Sequence, residues 1–320
     1  MNLGTVNWLK DLEKKVIGNT AKYDIIVPIS GGKDGIFTLW YLSQNTNLRI
    51  LAYHIDNWFV TEGAEKNVKN ICAELGCDCE IIRPNWKSLK EIYRELVLKN
   101  GEMCIACEMM ISLYPIETAI TKKIPYIVWG LTPNQIVSKK INNGYKEIDY
   151  NYYKNIVSYY GKLIETAIED RERAEKIKLQ LLYNNGISEK EQFPTFIMPF
   201  YWTGYDAVEI ERIVKENVDW IRPTDAGGTS SNCIINQMHI YLKKQIKGKD
   251  FYKKMMEQKY SNGEVTNNVM EYALSDNENI DTVRELLNKL DINNDIEELV
   301  ENIKNSKKNI FLKMESNISQ

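Results

Sequence analysis

Short apolar runs at 24–29 (DIIVPI), 49–55 (RILAYHI), 79–83 (CEIIR) and 125–129 (PYIVW) alternate with stretches near 35–45, 61–75, 87–99 and 108–122 whose apolar residues recur at helical spacing. Strand-length runs joined by amphipathic helices predict a parallel sheet covered by helices, because parallel strands need a crossover connection and are buried on both faces. The expected fold class is therefore α/β, a doubly wound parallel sheet, with a helical C-terminal part. The Tyr- and Asn-rich stretch 138–160 interrupts the rhythm without a period of its own and is expected to be a lid or insertion. Residues 161–185 read as one charged amphipathic helix, 193–202 (FPTFIMPFYW) as a Pro-broken apolar run, and 234–246 as a further helix. The expected division is an N-terminal helix at 1–20, a core at 21–137, an insertion with a connecting helix at 138–203, the remainder of the main domain at 204–275, and a helical tail at 276–320. The tail is rich in Asn, Lys and Glu and reads as a solvated appendage.

Composition narrows the classes. At 320 residues and 43% hydrophobic, the chain can bury a sizeable core. A net charge of -3 argues against a surface built throughout for nucleic acid, though a local basic groove would escape this test. Nucleic acid thus ranks behind a small molecule as the partner. No run of uninterrupted apolar residues reaches the roughly 18 to 20 that span a bilayer, and the N-terminal stretch has no signal-peptide pattern. The expectation is a cytoplasmic chain with no membrane partner, and a homodimer is compatible with it.

The segment YDIIVPISGGKDG at 23–35 sets an apolar run against a turn of Ser30, Gly31, Gly32, Lys33, Asp34 and Gly35, with a helix to follow. A strand, a glycine-rich turn and a helix N-terminus make a cradle in which backbone N–H groups converge on an anion. It is neither a Walker A loop, since Asp follows Lys33, nor a dinucleotide fingerprint, since G-x-G-x-x-G is absent.

This segment resembles the PP-loop, S-G-G-x-D-S, of the ATP pyrophosphatases. The resemblance implies that ATP is split between its α and β phosphates, that AMP is transferred to a substrate oxygen, and that a nitrogen or sulfur nucleophile displaces it. In that reaction Ser30, Gly31, Gly32 and Gly35 would cradle pyrophosphate, Lys33 would supply the cation, and Asp34 would hold Mg²⁺. Gly35 stands where the family has Ser, which removes one hydroxyl contact. At the ends of later strands, Asp56 in HIDNWF is a candidate for adenosine, with an ordinary strand-end turn as its other reading. Gly130 and Thr132 in VWGLTPNQ are candidates to face the α-phosphate.

The six cysteines do not form the framework of a small secreted domain. Cys104 and Cys107 stand in C-x-x-C at a predicted helix start, where the helix N-terminus would lower a thiol pKa, and Cys233 follows a Gly, Thr and Ser loop. Together they resemble the PP-loop tRNA thiolation enzymes, in which three such cysteines hold a [4Fe-4S] cluster; zinc, or no metal, is the other possibility. Cys72, Cys77 and Cys79 read as packing or surface residues. With only His54 and His239 and no paired-histidine motif, a histidine-based zinc site is not expected.

Over about residues 20–275 the chain also resembles the N-acetyl sugar amidotransferases. The segments carrying this are YDIIVPISGGKDG, GEMCIACEMMI, IPYIVWGLTPNQ, FPTFIMPFYWTGYDAVEI, SSNCIINQMHIYLK and YSNGEVTNNVMEYAL. That family's N-terminal cysteine-rich segment has no counterpart in MNLGTVNWLKDLEKKVIGNT. The resemblance implies ATP and Mg²⁺ as cofactors, a carbonyl substrate such as a nucleotide-linked N-acetyl sugar, and ammonia from a separate glutaminase. The alternative is sulfur transfer from a sulfur donor by the same adenylation chemistry, on a small molecule or tRNA.

Overall fold

The computed structural model describes residues 1, 7–133, 135, 143–182, 186–224, 226, 232–275 and 279–305. Its centre is a six-stranded sheet of β1 (Ile25–Pro28), β2 (Ile50–Ile55), β3 (Asp78–Ile82), β4 (Tyr126–Val128), β5 (Tyr145–Glu147) and β6 (Thr195–Ile197), in the order β3-β2-β1-β4-β6-β5. All neighbours are parallel except β5, which runs antiparallel to β6 at the edge. The fold is the expected doubly wound α/β class. Ile25, Ile26 and Val27 are fully buried, as a central parallel strand requires. Asp24 and Arg49 pin β1 to β2 from below, with Arg49 Nη2 at 2.6 Å from Asp24 Oδ1.

Helix α1 (Asn7–Lys15) precedes the sheet, and helices α2 (Lys33–Asn45), α3 (Glu62–Glu74), α4 (Trp86–Asn100) and α5 (Cys104–Lys122) fill the crossovers. Thr61 and Asn85 cap α3 and α4 by accepting from Ala64 N and Ser88 N. Helix α5 is the one helix among the described residues long and apolar enough to cross a membrane. Here it packs against β1, β2 and β4 and against α4.

The chain after β4 departs from expectation. The part of 138–160 that is described is not an irregular insertion: 145–147 is the edge strand β5, and α6 spans Tyr150–Ala167. Residues 138–142 lie outside the described residues. Helix α6 buries Tyr153, Tyr160, Leu163, Ile164 and Ala167, a helical stripe whose first two members are tyrosines. The single helix expected over 161–185 is two: α6 ends at Ala167, and Asp170 caps α7 (Arg171–Leu181) by accepting from Arg173 N. The two helices pack together, with Lys178 Nζ 2.6 Å from Glu165 Oε1. The run 193–202 supplies β6 and a short helix α8 (Phe200–Thr203).

Beyond α9 (Ala207–Asn217), α10 (Ile235–Lys247) carries the tail. Helices α11 (Lys249–Ser261) and α12 (Asn267–Leu274) pack beside it around Ile240, Tyr252 and Met256. The last two helices, α13 (Ile280–Lys289) and α14 (Ile296–Asn305), are not a solvated appendage. Val283, Leu286, Leu287, Leu290, Leu299 and Ile303 join the main core, against α10 and α4. Their amphipathic stripes needed a partner surface, and the sheet domain provides it.

Candidate active site

The strand order reverses between β1 and β4. In open α/β sheets the crevice beyond the carboxyl ends of the strands at such a switch is where ligands bind. The chain leaves β1 through Ile29, whose N–H donates to Tyr53 O at 2.8 Å, and turns at Ser30–Gly32 into α2. Gly31 has φ +79°, and a Cβ there would lie 2.2 Å from Ala64 O, so only glycine fits. Its carbonyl accepts from Trp220 Nε1 at 2.9 Å and Asn67 Nδ2 at 3.2 Å, which locks the turn. Gly32 is the N-cap of α2 and supplies no side-chain cap, so the first helical N–H groups are left to an anion.

Gly35 packs its Cα side against the strand: a Cβ would sit 3.2 Å from Ile29 Cα and 3.3 Å from Pro28 O. The departure from Ser thus matches a close helix-to-strand approach. Gly130, at the end of β4, approaches α2 just as closely, with a Cβ position 2.6 Å from Thr38 Oγ1 and 2.9 Å from Asp34 O. Lys33 Nζ donates to Asp34 Oδ1 at 2.6 Å and to Tyr205 OH at 2.8 Å, and the phenol lies near Glu264 O. Burial, with the Asp34 carboxylate second, pushes the Tyr205 phenol well above its ordinary pKa, so it stays protonated beside the lysine.

A cleft of about 1190 Å³ opens from this loop. Ser30, Gly32, Asp34, Gly35 and Gly130 line it at one side, and Cys104 and Cys107 line it as well. The phosphate loop and the C-x-x-C motif therefore face one space. The other sequence candidates lie outside the lining. Gly31 is turned into the loop's own packing. Lys33 is held by Tyr205. Thr132 directs both its N–H and hydroxyl to Gln135 Oε1, at 2.9 and 3.1 Å, and it is Gln135 that lines the cleft. The Asp56 carboxylate accepts from Trp58 N at 2.8 Å and from Arg83 Nε at 2.7 Å, which is the strand-end turn reading.

Cys233 reaches the site through pairing of 232–234 with the turn after β2. Val60 and Cys233 form an antiparallel bridge, Thr61 N donates to Asn232 O at 3.0 Å, and Ile234 N to Phe59 O at 3.0 Å. The Gly, Thr and Ser loop at 227–231 lies outside the described residues. Asn57, which also lines the cleft, donates its side-chain amide to Cys107 Sγ at 3.3 Å and to Cys233 Sγ at 3.5 Å. Tyr93 OH lies 3.1 Å from Cys107 Sγ. Burial pushes the Cys104 and Cys107 thiols up, and the Cys233 thiol up to about 12. The expected lowering at the helix N-terminus is overridden by desolvation and by the neighbouring Glu102.

The three cysteines that the sequence pattern groups lie near one another, with Cys104 in electrostatic reach of Cys107 and Cys233. Among the described residues, the donor set with all atoms within 4.8 Å of one another is Glu102, Cys104 and His239. Cys107 and Cys233 are instead bridged by the Asn57 amide. Asp34, one carboxylate beside the phosphate cradle, does suit magnesium, which takes one or two carboxylates plus substrate phosphates. Asn57, Glu102, Tyr93 and Tyr205 were not singled out by sequence, and His239 was named there only as not expected to bind zinc. Asn57 stands next to Asp56 in the same strand-end segment, and the others carry no local signal.

No family model matches the chain, and no curated protein matches it. The solved structures to which the chain is similar include the following three. One is an NH3-dependent NAD synthetase from Campylobacter jejuni subsp. jejuni NCTC 11168 in complex with the nitrate ion: 13% identity, 58% of this chain and 96% of that chain covered, TM-score 0.35. Another is the U34-tRNA thiolase NcsA from Methanococcus maripaludis with its [4Fe-4S] cluster, at 14% identity, 90% and 81% coverage and a TM-score of 0.38. The third is an NMN synthetase from Francisella tularensis, at 11% identity, 48% and 66% coverage and a TM-score of 0.33.

Proposed function

We propose that the protein is an ATP pyrophosphatase that adenylates the carbonyl oxygen of a small-molecule substrate and exchanges that oxygen for nitrogen. The observation that carries the proposal is the cleft into which both the Ser30–Gly35 turn and the C-x-x-C thiols open. Backbone N–H groups at the start of α2 receive the departing pyrophosphate, where the helix dipole favours negative charge. Lys33 contributes the positive charge as the bond between the α and β phosphates breaks, and Tyr205 keeps its ammonium beside the loop. Asp34 would hold Mg²⁺, which neutralises charge on the pyrophosphate when bound. The rest of the cleft is deep enough for an acceptor whose carbonyl oxygen takes AMP; a nucleotide-linked N-acetyl sugar is the substrate class implied by the six segment resemblances. Ammonia would come from a separate glutaminase. A cytoplasmic site of action, where ATP is available, fits this chemistry.

Sulfur as the incoming atom is the second reading, favoured by one observation: Cys107 and Cys233 share a single amide donor at the edge of the cleft. An ¹⁸O label in the substrate carbonyl tests the first step for both readings. With a nucleotide-linked N-acetyl sugar, ATP and magnesium, the label should pass to AMP when ammonia or sulfide is added. AMP without label would remove carbonyl adenylation, and the product's mass tells nitrogen from sulfur.

A further inference from the structure

The wall of the cleft formed by the turn into α5 and by α10 brings together three side chains of different chemistry. Glu102 and Cys104 come from the turn and first residue of α5, and His239 from the middle of α10. One ligand atom from each lies within 4.8 Å of the other two, and all three residues line the cleft. Zinc bonds of about 2.0 to 2.3 Å in a tetrahedron place neighbouring ligand atoms roughly 3.3 to 3.8 Å apart. The 3.1 Å between His239 Nδ1 and Glu102 Oε1 is on that scale.

His239 Nδ1 is buried and has no aligned hydrogen-bond partner, although Glu102 Oε1 is close. Glu102 Oε1 accepts instead from the Cys104 backbone N–H at 3.1 Å, which fixes the carboxylate next to the thiol of the same residue. A carboxylate, a thiol and an imidazole, three ligand types for a metal, converge on one point. A cation between them satisfies all three.

We propose that Glu102, Cys104 and His239 bind a single zinc ion, with its remaining coordination position open to the cleft, while Cys107 and Cys233 stay outside the metal's ligand set. Carboxylate, thiolate and imidazole together suit a borderline-soft ion that tolerates mixed oxygen, sulfur and nitrogen donors. Three protein ligands with an open fourth position are the arrangement of a reactive rather than a structural zinc site. The assignment is independent of adenylation: ATP cleavage can be lost with the metal in place, and the metal with the nucleotide site intact.

The test is metal and acid-labile sulfide analysis of the full chain purified without oxygen, then reconstituted with zinc and desalted. Wild type should carry about one zinc per chain. Cys233→Ser should keep it, His239→Ala should lose it, and His239→Cys, which restores a donor, should regain it. ATP binding by each variant, measured in parallel, shows that the fold has survived. Cobalt in place of zinc should give a thiolate charge-transfer absorption that vanishes in Cys104→Ser. Zinc retained in His239→Ala overturns the proposal. So does a wild type that holds no zinc, or one that carries about four irons and four sulfides lost in Cys233→Ser but kept in His239→Ala.

Discussion

Lys289 Nζ lies 2.7 Å from the carbonyl oxygen of Trp58, so the tail helix α13 holds the turn that presents Asn57 to the thiols. Trp58 has φ 69°, a left-handed conformation that a bulky side chain adopts only under constraint. The lysine also sits over the Phe59 and Trp86 rings, at 4.2 and 5.6 Å. The C-terminal helices thereby support the site.

Lys289→Met should therefore lower stability by about 1 kcal/mol, the scale of a partly exposed charged hydrogen bond. It should also speed alkylation of Cys107 and Cys233, measured by mass spectrometry on the folded protein. A stability loss with unchanged thiol reactivity would show that the tail does not position the Asn57 turn.

Gly31→Ala places a Cβ 2.2 Å from the Ala64 carbonyl oxygen in a turn with φ +79°. The expected cost is about 2 kcal/mol or more in urea unfolding, with loss of ATP binding. Gly35→Ser meets Ile29 Cα at 3.2 Å, which a small shift relieves, so its cost should stay below about 1.5 kcal/mol. Equal effects of the two substitutions would contradict the geometry described for the loop.

Glu117 gives a pH signature away from the cleft. Burial raises its carboxyl to about 7, against 4.5 in an open chain, and Tyr153 OH donates to it at 2.6 Å. A raised carboxyl favours the folded state fully below the unfolded pKa and loses that contribution as pH rises through the folded one. Wild type should thus lose about 3 kcal/mol, relative to Glu117→Gln, on going from about pH 4 to about pH 8. Parallel stability profiles for the two proteins would show that the Glu117 carboxyl titrates alike in the folded and the unfolded chain.

Tyr205→Phe should weaken ATP turnover by about tenfold through the lost contact to Lys33, while leaving unfolding midpoints close to wild type. Turnover equal to wild type would show that Lys33 needs no partner to reach the phosphates.

The first half of the fold was legible because β1, β2 and their helices carry strong, unambiguous periods, and the glycine turn after β1 admits few alternatives. Helix α6 was missed because two of its buried positions are Tyr153 and Tyr160, which read as polar in a stretch crowded with asparagine. Strands β5 and β6, three residues each, are too short to show a period at all. The α13 and α14 stripes were visible, but nothing local says which surface covers them. At the site, the C-x-x-C spacing singled out Cys104 and Cys107, and both line the cleft. It could not show that Glu102 and His239 share the Cys104 position, since α5 and α10 meet only in three dimensions.

The central claim is the site of bond cleavage in ATP at the Ser30–Gly35 loop. Nucleotide products should be quantified with ATP, magnesium, a nucleotide-linked N-acetyl sugar and either ammonia or sulfide. Equal amounts of AMP and pyrophosphate, abolished in both Lys33→Ala and Asp34→Ala, are the result predicted. Formation of ADP and phosphate, or full AMP production by either variant, would contradict it.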